Sequence, residues 1–247
     1  MIFRPLRGCS LNLNLRGIAM YRFLLLDLDD TILDFHQSEY VAIRQTLSAF
    51  AIEPTDAVCD LYSRINLAHW KALERKEITR EQLEVSRFEQ LFDQLGVRAD
   101  AAACGQLYYE NLSAGHYFLE GAEDAVKQLS REYELYMVTN GTSKVQHRRI
   151  ASSGIAPLFR DIFISQHMGA DKPDMAFFQN AFARIPEFDP AKAMIVGDSI
   201  SSDIRGGKNA GLATCWINPR KKAAPEHTQP DYQIESITQL QALLEKI

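Results

Sequence analysis

The chain has no CxxC pair, and its four cysteines, Cys9, Cys59, Cys104 and Cys215, lie far apart in 247 residues. That spacing excludes a disulfide framework and a cysteine zinc site, and it fits reduced thiols in a cytoplasmic protein. No apolar run is long enough for a membrane span or a signal-peptide core. No internal repeat or low-complexity segment interrupts the chain. Positive charge is not in excess either. The net charge of -5 argues against a nonspecific binder of nucleic-acid polymers. Residues 1–19 hold Arg4, Arg7 and Arg16 but no acid, and Met20 follows them. They read as an extension from an upstream start, poorly ordered. Finally, strand-like alternation is absent between Asp34 and Tyr117.

What is present is a core-forming composition, with 46% hydrophobic residues, enough for one large domain or two small ones. The chain is organised around Phe23-Leu-Leu-Leu-Asp27-Leu-Asp29-Asp30-Thr31. A short continuous apolar run suits a strand buried on both faces of a parallel sheet. Ligand sites of such sheets lie beyond the carboxyl ends of the strands. A period of two would put Asp27 and Asp29 on the same side. Three acids in four residues repel one another unless a cation is near. An acidic turn capping a helix is the plainer reading of the same residues.

From Asp34 to Tyr117 the apolar residues recur every three or four positions, as in Tyr40, Ile43, Leu47 and Phe50. Pro54 interrupts, Thr79 to Gln82 fits a capping box, Gly96 a stop, and Asp100 a further cap. The pattern predicts a block of four or five helices. After it, strands are predicted at Glu134–Thr139, Ile162–Ile164, Met194–Asp198, Thr214–Ile217 and Tyr232–Ile234. Helices fall between them, including one over Pro173–Ala183 with the proline in its first turn and one over Ser201–Ala210 stopped by Gly211. Strands separated by helices imply a parallel sheet. The helical block leaves after the first strand and returns before the second, so it should lie over the strand ends. The predicted boundaries are 1–19 for the extension, 20–34 and 118–247 for the α/β core, and 35–117 for the helical block.

Three further polar clusters follow strands. Thr139-Asn140-Gly141 offers a hydroxyl and backbone N–H groups, a cradle for phosphate and equally an ordinary turn. Asp171-Lys172-Pro173-Asp174 offers a cation that could neutralise phosphate oxygens and balance Asp27. Gly197-Asp198 with Asp203 five residues on supplies carboxylates of the kind Mg²⁺ takes. Each cluster alone is commonplace. Together, DxDxT, a strand-terminal Thr, Lys-Pro and GDxxxxD occur in order, each at a predicted strand end.

In that joint pattern the sequence resembles the haloacid dehalogenase superfamily over residues 21–247. The resemblance implies an α/β, Rossmann-like core, its parallel sheet flanked by helices, with an all-helical cap. It implies Asp27 as nucleophile, Asp29 as general acid/base, and Thr139 and Lys172 as phosphoryl ligands, with Asn140 and Gly141 beside them. It also implies Mg²⁺ held by Asp27, Asp198 and the Asp29 carbonyl, with Asp203 supporting the metal or Lys172. Within the cap, Asn66-Leu-Ala-His-Trp70 and Arg87-Phe88, and toward the tail the segment Gly211–Asn218, are similar to bacterial pyrimidine 5′-nucleotidases. That similarity implies a nucleoside monophosphate as substrate, met by Asn66, Trp70 and Arg87, with His69 and the aromatic surface of Phe88 nearby. A carboxylate at Asp29 favours phosphoryl transfer over hydrolytic dehalogenation, which has no leaving oxygen to protonate. Phosphoglycolate or another small-metabolite phosphatase and a sugar phosphomutase are the enzymatic alternatives. A phospho-acceptor switch or a catalytically silent binding protein are the others.

Overall fold

The computed structural model describes residues 20–247; the stretch expected to be an extension lies outside the described residues. The first strand, β1 (Phe23–Leu26), is apolar and buried throughout. Four helices follow: α1 (Phe35–Ala49), α2 (Asp56–Glu74), α3 (Arg80–Leu95) and α4 (Ala101–Ala114). Each begins where a side chain satisfies an otherwise orphaned N–H. Asp34, Thr55 and Asp100 accept from the third residue on, and Thr79 and Gln82 complete a reciprocal capping box. Gly96 closes α3 with φ of 66°, a conformation that favours glycine.

The chain then alternates. In order come α5 (Ala122–Leu129), β2 (Glu134–Thr139), α6 (Ser143–Ser153), β3 (Asp161–Ile164), α7 (Ser165–Met168), α8 (Met175–Phe182) and β4 (Ala193–Gly197). A π-type turn over Ile200–Ile204 leads into α9 (Arg205–Asn209), followed by β5 (Ala213–Ile217), β6 (Tyr232–Ile234) and α10 (Leu240–Leu244). Two expectations are corrected here. Pro173 is not in the first turn of α8: Lys172–Pro173 is a cis peptide, and α8 starts two residues later, capped by Asp174. The helix expected over Ser201–Ala210 begins instead as the π-type turn, which draws Asp203 back toward Ser199.

All strand pairs are parallel, in the order β3-β2-β1-β4-β5-β6. The order reverses at β1, so the crevice between β1 and β4 at their carboxyl ends is where this topology accepts ligands. Alternate residues of β1 feed two cores. Leu24 and Leu26 face one with α5 and α10, and Phe23 and Leu25 face the other with α8. The four early helices share a third core, to which α6 adds Val145. At its centre Tyr62, Phe88 and Tyr108 pack with ring centroids 5.2–5.7 Å apart.

Phe88, expected as aromatic surface for a ligand, is fully buried in that triangle. Phe88→Ala should therefore destabilise the helical block by about 3–5 kcal/mol, the usual cost of truncating a buried Phe. Urea unfolding followed by tryptophan fluorescence would measure it, and a loss under ~1 kcal/mol would show that the block does not depend on this core.

Candidate active site

β1 ends at Leu26, so Asp27 is the first residue past the strand. Its neighbours at the switch point are Thr139 at the end of β2, Asp198 after β4, and Lys172 from the loop after α7. All line one cavity of about 300 Å³, together with Asp29, Asn140, Gly141 and Asp203. That volume is at the small end of ligand pockets, ~300–1,000 Å³, and suits a small metabolite.

Lys172 is 1% exposed, and its ammonium donates to Asp27 Oδ1 (2.7 Å), Asp203 Oδ1 (2.6 Å) and Val138 O (2.6 Å). An ammonium has three donors, and all three are engaged. The two carboxylates hold it protonated against the cost of burial. The Asn140 side chain clamps the Lys172 backbone, donating to its carbonyl (2.8 Å) and accepting from its N–H (2.9 Å). The Gly141 N–H, read as free for phosphate, is donated to Ser165 Oγ at 3.3 Å. Gly141 is small for a different reason: a Cβ there would meet the Gln146 side chain at 2.6 Å.

The carboxylates fall into two groups. Asp27, Asp198 and Asp203 can bring one oxygen each within 4.8 Å of one another. Both Asp203 oxygens are engaged, the second accepting from Ser199 N at 3.0 Å. Gly197 leaves it room, since a Cβ would meet Asp203 Oδ2 at 2.2 Å. Burial pushes Asp27 up to about 7, with Lys172 opposing. Burial, then Asp27, Asp203 and Asp30, raise Asp198 well above the usual carboxylate range. Crowded, dehydrated carboxylates of this kind are stabilised by a hard cation, and the set fits one. Asp29 belongs to the second group. It accepts from Arg149 Nη1 (2.5 Å) and Gln146 Nε2 (2.8 Å), and Gln146 Nε2 also reaches Thr139 Oγ1 (2.9 Å). Asp30 turns away at φ 55° toward His36 and the Phe35 N–H. Burial raises its carboxyl to about 6, with His36 opposing.

The helical block closes the other side of the cavity. Trp70, Asn66, Arg87, Leu67, Tyr108 and Tyr109 line it, as does Glu39. Asn66 links Glu39 (2.6 Å) to Arg87 (2.8 Å), and the Arg87 guanidinium stacks over Tyr108 and Tyr109. Arg87 Nε and Nη2 and the Tyr108 hydroxyl are buried without partners. His69 does not line the cavity; its Nδ1 lies 2.9 Å from Ile65 O. Sequence reasoning missed Glu39, Gln146 and Arg149. The last two were visible in principle, as polar residues three apart on the face of α6 that also carries Val145 and Ile150.

A family profile described as haloacid dehalogenase-like hydrolase matches residues 24–217. The chain belongs to that hydrolase family. It is 40% identical over 224 residues to the HAD-hydrolase YfnB of Bacillus subtilis, covering 91% of this chain and 95% of YfnB. It is 38% identical to the pyrimidine 5′-nucleotidase PynA of Streptococcus pneumoniae, covering 92% and 96% respectively. The magnesium-bound crystal structure of YfnB superposes with a TM-score of 0.87, over 91% of this chain and 98% of that one. The parallel sheet and the hydrolase assignment expected from the motifs are thus established. Among the described residues no helix is long and apolar enough to cross a membrane.

The site geometry predicts a stability signature. Lys172→Met should leave Asp27 and Asp203 facing each other in the interior and cost about 3–5 kcal/mol. Adding Asp203→Asn should restore part of that loss, because the two share one network. Urea denaturation of the single and double variants measures it; strictly additive losses would show that the pair is not coupled.

Proposed function

We propose that the enzyme is a Mg²⁺-dependent phosphomonoesterase working through an aspartyl-phosphate on Asp27, with 5′-monophosphates of pyrimidine nucleosides as substrates. The observation that carries the reading is the meeting of Asp27, Asp29, Thr139, Lys172, Asp198 and Asp203 in one small cavity roofed by Trp70, Asn66 and Arg87. The names of its relatives, a pyrimidine 5′-nucleotidase among them, point the same way.

In this reading the four helices of residues 35–117 act as a cap over a core of 20–34 and 118–247. Mg²⁺, held by Asp27, Asp198 and the Asp29 carbonyl with Asp203 behind them, would draw charge from the phosphoryl oxygens. Asp27 attacks phosphorus while the leaving oxygen departs, which divides one hard step into two. Lys172 opposes protonation of Asp27 and holds it in place. To touch a phosphoryl oxygen it must exchange one of its three present bonds. Thr139 Oγ1 accepts from Gln146, so its own proton is free for the phosphate. Asp29 gives a proton to the leaving oxygen and later takes one from the water that releases phosphate. Trp70 offers a face for a stacked base, worth ~1–3 kcal/mol. The Glu39–Asn66–Arg87 chain supplies hydrogen-bonding groups at the far end. A stacking face with few polar groups favours a nucleotide while tolerating several bases. A cytoplasmic setting accords with the buried, unpaired Cys59, Cys104 and Cys215.

Asp27→Asn should fold normally and lose turnover entirely, since an amide cannot form the acyl phosphate; activity near wild type would end the mechanism. Mg²⁺ at about 100 times its dissociation constant should stabilise the wild type by ~2.7 kcal/mol. Asp198→Asn should lose most of that shift, and an unchanged shift would remove Asp198 from the ligand set. For the substrate, kcat/KM for uridine and thymidine monophosphates should exceed that for phosphoglycolate and a hexose phosphate. Each ~1.4 kcal/mol of stacking amounts to a tenfold preference. Should phosphoglycolate win by about tenfold, the phosphatase reading stands and the nucleotidase reading does not.

A further inference from the structure

Arg149 is 0% exposed in the interior of α6, and none of the motifs accounts for it. A buried guanidinium is costly unless its donors are matched. Here each nitrogen has a partner. Nη1 donates to Asp29 Oδ1 (2.5 Å) and Gln146 Oε1 (3.0 Å). Nε donates to Gly115 O (2.8 Å), and Nη2 to Ser38 Oγ (3.4 Å). Apart from Gln146, on α6 itself, these partners come from three different places. Asp29 belongs to the reacting cluster. Ser38 lies in the first turn of α1, where the chain passes into the helical block, and Gly115 directly follows α4, where it returns.

Gly115 and Ser38 are also packed on each other. A Cβ at Gly115 would meet Ser38 Cβ at 3.1 Å. The two connections between block and sheet therefore run side by side, and Arg149 spans both. Its planar, rigid fork fixes direction as well as distance. A shift of either connection relative to α6 must be transmitted to the guanidinium, and from there to Asp29. Gln146 repeats the arrangement on a smaller scale. Its amide nitrogen donates to Asp29 Oδ2 and Thr139 Oγ1, and its amide oxygen accepts from Arg149.

We infer that Arg149 is the positioning residue for the Asp29 carboxylate, and that it sets that carboxylate's aim according to where the two cap connections lie. The inference rests on the reading of Asp29 as general acid/base. Arg149 itself does not touch substrate; it acts through Asp29.

The test separates aim from fold. Arg149→Met and Arg149→Lys are compared with wild type and Asp29→Asn, using rapid-mixing kinetics of the first turnover. One substrate is uridine monophosphate, whose alkoxide leaving group needs a proton. The other is p-nitrophenyl phosphate, whose leaving group departs as an anion. Arg149→Met should slow the first turnover of the nucleotide about 10²-fold, the cost of a ~1 Å misplacement. KM should stay within about threefold, and the p-nitrophenol burst should be nearly unchanged. Arg149→Lys keeps the charge but cannot reach all partners, so it should show the same selectivity with a smaller loss. If Arg149→Met does not fold, Arg149→Lys carries the comparison. Equal losses on both substrates, or a loss in KM alone, in an Arg149 variant overturn the proposal while Asp29→Asn still shows the selective loss. If Asp29→Asn also loses both equally, the acid/base reading of Asp29 falls and the proposal with it.

Discussion

One buried cation holds the site together. Lys172 occupies the point where β1, β2 and the turn after β4 converge, and it binds a group from each: Asp27, the Val138 carbonyl and Asp203. Without it the carboxylates at this crevice would repel one another in a medium that screens poorly. The surrounding structure keeps it there. Asn140 fixes its backbone from both sides, Gly197 leaves space for Asp203, and the π-type turn brings Asp203 within reach of Ser199. These features are local departures from regular structure, and each has the same consequence: a carboxylate or an ammonium is held where the sheet topology opens a crevice.

Much of this was legible in the sequence. β1 announced itself as an apolar run ending in acids, and the helix caps at Thr79 and Asp100 could be read from a few neighbouring residues because capping is a local interaction. The cluster of polar residues around the cavity was legible because its members lie at strand ends in a fixed order. What could not be read are the pairings. Asp27 and Asp29 look equivalent by spacing, yet one is held by Lys172, 145 positions away, and the other by Arg149, 120 positions away. Only folding brings those cations in. Pro173 misled for a related reason: Lys-Pro looked like a helix start, but Asp174 supplies the cap two residues after the lysine, leaving Lys172 in a loop that can turn inward.

The helical block shows the converse limit. Its helices follow from periodicity, but periodicity does not say which apolar residues face the core and which face the cavity. Phe88 and Trp70 were both plausible ligand surfaces. Phe88 sits within the Tyr62–Tyr108 stack, and Trp70 lines the cavity with Arg80 over its ring. The difference arises from the partner helices. α4 covers α3 at Phe88, while the end of α2 extends over the strand ends, where Glu74 accepts from Ser201.

Seen together, the two cations divide the work between the halves of the molecule. The Lys172 ammonium is tied only to groups of the sheet side, Asp27, Asp203 and the Val138 carbonyl. Arg149 is tied to the sheet side through α6 and Asp29, and to the block's connections through Ser38 and Gly115. The block and the sheet also meet at rim contacts, Lys76 with Asp174 and Arg80 with Asp171. Lys76 is largely exposed, so its pair contributes little energy. If Asp27 and Asp29 act as proposed, an Asp29 that answers to the helical block would confine proton transfer to the state in which the cavity is covered. On the proposed mechanism, such an arrangement would protect an aspartyl-phosphate through geometry, because aligning Asp29 and excluding bulk water would require the same movement.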